Sequence, residues 1–192
     1  MKFATILAPL ALSATLAFVP VRHSTPSTRS TDTVVLVVRH AEKAGVSGDV
    51  PLSPAGESRA KALVAIARDA GVAGVITTQF QRTKQTGAPA AQSLGITPVV
   101  ATAGGATAEH VKAIADTIRA RFAGQTVLVV GHSNTVPAIV AALGGAQSPD
   151  LCDEEYDALF TVVVDASGKA RVVKSRYGAP SVLSEKCAAM PK

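Results

Sequence analysis

Aromatic side chains are scarce in this sequence. Among its 192 residues there is no Trp, and only 2 Tyr and 5 Phe occur. Platforms that bind single-stranded nucleic acid stack bases on aromatic faces, and this chain has few to offer. Lys and Arg never occur in a run of four or more, so the net charge of +5 is scattered. A dedicated nucleic-acid patch is therefore the weaker reading, and a diffuse positive field that attracts anions is enough to account for the charge. Paired metal-binding spacings such as His-x-His or His-x-x-x-His are missing, which speaks against a metal hydrolase. No His follows position 132, and there is no internal repeat.

What is present fits one globular domain. The apolar fraction is 47%, and the length suffices for one sizeable core but not two. Residues 1–20 have the pattern of a secretory signal: Lys2 supplies the positive start, and Phe3 to Val19 is apolar apart from Thr5, Ser13 and Thr15. Thr15-Leu16-Ala17 offers a small-residue cleavage site after Ala17. An uncleaved anchor is the competing reading, since the apolar stretch nears the lower limit for a spanning helix. No Cys follows that stretch, which rules out lipoprotein anchoring there. Residues 21–33, rich in Ser, Thr and Pro, read as a flexible linker, which leaves 34–192 as the folded domain. The chain is thus expected to be exported, periplasmic or secreted, with no stable membrane contact after cleavage. Its two cysteines, Cys152 and Cys187, suit a single disulfide in an oxidising compartment. The loop-entropy model assigns such a closure roughly 3 to 4 kcal/mol, whereas two free thiols too far apart to bridge would contribute nothing.

From Val34 onward, short β-branched runs alternate with Ala-rich helical stretches. Val34 to Val38 and Thr126 to Val130 are apolar throughout, or nearly so, as strands buried on both faces of a parallel sheet are. Val75 to Thr78 and Pro98 to Val100 read as two further strands. Ser53-Pro54 opens a helix that ends at Gly71, Ser as cap and Pro where its missing N–H costs nothing. Other helices are expected over Gln81 to Leu94, with Pro89 an irregularity, over Thr107 to Phe122, and over Ser133 to Leu143. Leu159 to Val164 and Arg171 to Lys174 straddle Ala166-Ser167-Gly168-Lys169 as an antiparallel hairpin. The expected fold is a three-layer α/β/α sandwich with a mostly parallel central sheet and this C-terminal hairpin.

Ligands of such sheets bind beyond the carboxyl ends of the strands. Arg39 and His40 follow the first strand, Arg82 the second, and His132 the fourth. Arg presents a planar fork of donors to paired phosphate oxygens. A neutral imidazole can attack phosphorus, and a second His can donate to an equatorial oxygen. Periodicity alone does not reveal whether these strand ends meet.

Three blocks in this set resemble the histidine phosphatase (phosphoglycerate mutase-like) superfamily. Arg39-His40-Ala41-Glu42 is similar to its Arg-His-Gly/Ala-Glu signature. Thr78 to Thr86 resembles its second-arginine segment, and Gly131-His132-Ser133-Asn134-Thr135 its second-histidine segment. The blocks come in the family's order, and the likeness spans about Val34 to Tyr177. The resemblance implies a phosphatase acting through a phosphohistidine on His40, with Arg39, Arg82 and His132 forming the phosphate pocket. No metal or other cofactor is implied. The implied partner is a phosphorylated small molecule or macromolecule, and not nucleic acid. In the mutase-like branch, a carboxylate between the second arginine and the second histidine protonates the leaving oxygen. Only Glu109 and Asp116 lie in that interval. Glu109 is better placed, near a helix start, where it could instead serve only to complement the helix dipole. Glu42 and the Asp153-Glu154-Glu155 run are rivals, and phosphohistidine phosphatases of the superfamily manage without an obvious acid.

Two other readings are weaker. Gly131-His132-Ser133-Asn134-Thr135 also resembles the nucleophile elbow of serine esterases, but position 135 is Thr instead of Gly, and no His follows to act as base. A catalytically inactive relative that keeps the phosphate pocket is the reading from outside enzymology, and the intact His40 opposes it. A mutase is less expected than a phosphatase, because the chain is short of the insertions that enclose a phosphoglycerate.

Overall fold

The computed structural model describes Met1 and residues 31–189. The leader and most of the linker lie outside the described residues. Six strands form one sheet: β1 (Thr33–Arg39), β2 (Val72–Thr77), β3 (Val99–Val100), β4 (Thr126–Gly131), β5 (Ala158–Val164) and β6 (Ala170–Arg176). Their spatial order is β3-β2-β4-β1-β5-β6. β3, β2, β4 and β1 run parallel, and β5 and β6 add an antiparallel hairpin beside β1. Four longer helices, α1 (Pro54–Asp69), α2 (Gln81–Leu94), α3 (Thr107–Arg121) and α4 (Thr135–Ala142), flank the sheet, and a short α5 (Glu185–Ala188) closes the chain.

The alternation of side chains along β1 explains the three layers. Val35 and Val37 point to a core shared with Ile114 and Ile118 of α3 and Ile139 of α4. Leu36 and Val38 point to the opposite core, with Leu63 and Ala67 of α1 and Ala90 and Ala91 of α2. Both faces of β1 and β4 are covered, so an unbroken apolar run is the pattern they require. This is the α/β sandwich expected from the sequence.

Local signals set most element ends. Ser53 accepts a hydrogen bond from Gly56 N as the cap of α1, with Pro54 at its first position. Pro89 is accommodated inside α2. Several boundaries differ from expectation, β2 for one running Val72–Thr77, and two of the differences have a visible cause. Thr33 already belongs to β1, where its hydroxyl accepts from Gly124 N at 3.0 Å. α4 starts at Thr135, two residues late, because Thr135 Oγ1 accepts from His132 N at 2.8 Å and holds residues 132–134 in a turn. α5, a four-residue helix capped by Ser184, is not among the helices expected from the sequence.

Gly56 marks the tightest approach below the first strand. A Cβ there would lie 2.2 Å from the backbone oxygen of Glu42, two residues beyond His40. Backbone cannot swing aside as a flexible side chain would, so α1 must shift. Gly56→Ala is therefore expected to destabilise the protein by about 1–3 kcal/mol, the usual range for overpacking. Urea unfolding tests this, and a midpoint equal to the wild type's would mean that the loop after His40 yields freely.

Candidate active site

The carboxyl edge of the sheet carries the site. Parallel pairing sets Arg39 opposite Gly131, and His40 N donates to Gly131 O at 2.9 Å. The residues after β1 and β4 are thus neighbours, and the His40 and His132 rings meet edge to face with centroids 5.4 Å apart. β2 lies on the other side of β4 and delivers Thr78 and the start of α2, including Arg82.

His40 is 4% exposed. Its Nδ1 lies 2.8 Å from the Ala41 carbonyl oxygen. A carbonyl only accepts, so the neutral ring carries its proton on Nδ1 and leaves a lone pair on Nε2. Burial, with Arg39, His132 and Arg82 adding positive charge nearby, lowers its pKa to about 3. At neutral pH the ring is therefore unprotonated on Nε2, the form that can attack an electrophile. Burial, together with the nearby charges of Arg82, His110, Arg39 and Lys43, lowers His132 to about 4.

A chain of hydroxyls fixes the tautomer of His132. Thr83 Oγ1 donates to the Phe80 carbonyl at 2.9 Å, so it accepts from Thr78 Oγ1 at 2.8 Å. Thr78 then accepts from His132 Nε2 at 3.2 Å. Phe80 stands edge to face against the His132 ring and beneath the Arg82 guanidinium, 4.4 Å from its centroid. Thr86 Oγ1 accepts from Ala41 N at 2.9 Å and donates to Arg82 O at 2.7 Å, binding the loop after His40 to α2. Thr78 and Thr86 bound the second-arginine segment read from the sequence, but none of these threonines, nor Phe80, was assigned a role there. Their signal was the pair of hydroxyls, Thr78 and Thr83, flanking a strand end and a helix start.

Both arginines are held by loops. Arg39 is buried, and its Nη1 donates to the carbonyls of Cys152 at 2.8 Å and Glu155 at 3.4 Å. Arg82 Nη1 lies 4.0 Å from Asp49, whose carboxylate also accepts from Gln81 N at 2.7 Å. Asp49 thereby caps α2 from a distant loop, since the local cap residue, Phe80, has no side-chain acceptor.

The candidate acids part company here. Glu42 receives Arg59 through both oxygens, at 2.7 to 3.0 Å, and Arg59 Nη1 continues to Tyr177 O. That carboxylate is committed to a buried cation and is poorly placed to protonate a leaving group. Glu154 accepts from Ser184 N, and Glu155 pairs with Lys174 at 3.0 Å. Asp153 remains, exposed and 3.6 Å from Arg39 Nη2. Glu109 is exposed in the first turn of α3, beside Gly105, and its carboxylate makes no ion pair or hydrogen bond among the described residues. Asp116, two turns further along α3, is tied to Lys112 and Arg119. The Ser133 hydroxyl hydrogen-bonds no imidazole, as an esterase nucleophile would require. Among the described residues no cluster of three or more His, Cys, Asp or Glu could hold a metal ion, and no helix is long and apolar enough to cross a membrane. Cavities of about 730 and 360 Å³ lie along α3–α4 and beside the hairpin, and none of Arg39, His40, Arg82 and His132 lines either of them.

Residues 35–104 match the family model of the histidine phosphatase superfamily (branch 1). The matched stretch holds Arg39, His40 and Arg82. The fold is also found in several solved structures. A protein histidine phosphatase, SixA, complexed with tungstate superposes with a TM-score of 0.59 at 19% identity, covering 74% of this chain and 96% of its own. A mycobacterial glucosyl-3-phosphoglycerate phosphatase gives a TM-score of 0.60 at 13% identity, covering 78% and 100%. A protein described as a phosphohistidine phosphatase SixA from Agrobacterium tumefaciens gives 0.55 at 20%, covering 77% and 98%. No curated protein sequence matches the chain.

The lowered pKa values make stability depend on pH. An unfolded imidazole titrates near 6.5. Between that value and the folded ones the unfolded chain binds more protons, so stability falls as pH falls from about 6.5 towards 4. The slope is up to about 1.4 kcal/mol per pH unit for each ring. His40→Asn removes one of these rings and should gain stability relative to the wild type as pH drops from 7 to 4.5, read by urea unfolding at each pH. Parallel curves would mean that His40 titrates in the folded protein as it does in water.

Proposed function

We propose that the protein is a phosphatase that hydrolyses a phosphate monoester or phosphoramidate through a phosphohistidine on His40. The carrying observation is a buried imidazole kept unprotonated on Nε2 by its Nδ1 bond to Ala41, with Arg39, Arg82 and His132 around it. In the first step Nε2 attacks phosphorus, the N–P bond forms, and the bond from phosphorus to the leaving oxygen or nitrogen breaks. Arg39 and Arg82 would neutralise charge on the non-bridging oxygens, and His132 would turn its Nε2–H from Thr78 to one of them. Water then attacks phosphorus, the N–P bond breaks, and inorganic phosphate leaves. The substrate is a phosphorylated small molecule or macromolecule. Export is part of the proposal, and the leader pattern of residues 1–20 and the Cys152–Cys187 bridge support it.

His40→Ala is expected to abolish turnover of nitrophenyl phosphate while the fold survives. Rapid acid-free quenching of the wild type should trap a phosphorylated, acid-labile enzyme that the variant lacks. Near wild-type turnover by folded His40→Ala would overturn the mechanism.

Glu109 is proposed as the general acid, since Glu42 and Asp116 are engaged elsewhere. An alkoxide needs a proton to leave, and nitrophenolate does not. Glu109→Gln should therefore slow hydrolysis of an alkyl phosphate by about 10²- to 10⁴-fold and that of nitrophenyl phosphate far less. Equal effects on both substrates would reject Glu109, and the same dependence at Asp153 would move the acid there.

A further inference from the structure

The partners of Arg39 single out one segment. Among the described residues, its hydrogen-bond, ion-pair and ring partners all come from residues 152–156: the Cys152 and Glu155 carbonyls on Nη1, the Asp153 carboxylate near Nη2, and the Tyr156 ring, whose centroid is 4.3 Å from the guanidinium carbon. The Tyr156 ring also stands 6.1 Å from His40. Nε is buried with no partner. A guanidinium binds an oxyanion bidentately through its Nε–Nη2 edge. This segment occupies Nη1 and one face of the plane, brings the exposed Asp153 carboxylate to 3.6 Å from Nη2, and leaves Nε for a ligand.

The segment is itself held from outside. Leu151 N donates to Ser133 O at 3.0 Å, next to His132. Tyr156 N donates to Ser181 Oγ at 2.9 Å, and Glu154 accepts from Ser184 N. Cys152, whose carbonyl receives Arg39, is bridged to Cys187 of α5 with Cα atoms 5.6 Å apart. The C-terminal tail, remote in sequence from every pocket residue, thus braces the wall of the site.

We propose that residues 152–156 are a positioning wall for Arg39, in which Tyr156 orients the guanidinium and the Cys152–Cys187 bridge latches the wall to the tail. This rests on Arg39 being a phosphate ligand. Reduction by a dithiol would pass two electrons and two protons to the bridge, break the S–S bond, form two thiols and oxidise the dithiol. The wall would then loosen while the sheet stays paired.

The test compares Tyr156→Leu, Tyr156→Phe and Cys187→Ser with the wild type. The readouts are the dissociation constant for inorganic phosphate, the kcat and KM for nitrophenyl phosphate, and the thermal midpoint. Tyr156→Leu should weaken phosphate binding and raise KM in parallel by about tenfold, with a smaller change in kcat, as loss of a cation–π contact implies. Tyr156→Phe keeps the ring face and should restore both. Cys187→Ser should shift both constants in the same direction, dithiol should shift the wild type likewise, and dithiol should leave Cys187→Ser unaffected. Phosphate affinity within twofold of the wild type for Tyr156→Leu, or a Phe variant no better than Leu, would overturn the proposal. So would an affinity loss that merely follows the thermal midpoint. Phosphate binding without turnover in the wild type would overturn the phosphatase reading and leave the wall standing. A wild type that does not bind phosphate would overturn both.

Discussion

The parallel pairing of β1 with β4 is the contact on which the site depends. It sets Arg39 against Gly131 and joins His40 N to Gly131 O. Two imidazoles 92 residues apart in the chain thereby come within van der Waals reach of one another. The pairing also puts both strands in the middle of the sheet, covered by helices on each face. Burial follows from that position, and burial is the largest cause of the low imidazole pKa values. An imidazole that stays neutral near pH 7 is thus a consequence of strand order as much as of residue type.

Around this centre, charge is distributed in two ways. The cations that face the site, Arg39 and Arg82, have weak or distant acidic partners, with Asp153 3.6 Å and Asp49 4.0 Å away. Arg59, behind the nucleophile loop, has a tight one in Glu42, at 2.7 Å. A buried cation fully matched by a carboxylate supports structure, and removing one partner of such a pair is costly. One left with unpaired donors is available to an anion. The same residue type therefore serves the frame in one place and the pocket in another, and the difference lies in what is packed beside it.

Much of this was legible in the sequence. Both apolar strands, the hairpin, the capped start of α1 and the three blocks bearing Arg39, His40, Arg82 and His132 were all recognisable, because each depends on residues close together in the chain. The acid was not legible. Glu42 stood two residues from the nucleophile, yet its partner, Arg59, is on a helix 17 residues away, and nothing local reveals that ion pair. The Asp153-Glu154-Glu155 run looked uniform, but its three carboxylates face Arg39, Ser184 and Lys174 in turn.

The sequence by itself determined the alternation of strands and helices, the faces each would bury, and the residue types at the strand ends, since periodicity and capping are short-range properties of the chain. Only the tertiary structure decided that β4 would lie between β1 and β2, that Asp49 would cap α2, and that the Cys152 to Tyr156 segment would close over Arg39. Those outcomes depend on contacts between segments tens to more than a hundred residues apart. Such contacts are selected by the joint packing of all the layers, and no local stretch of sequence encodes them.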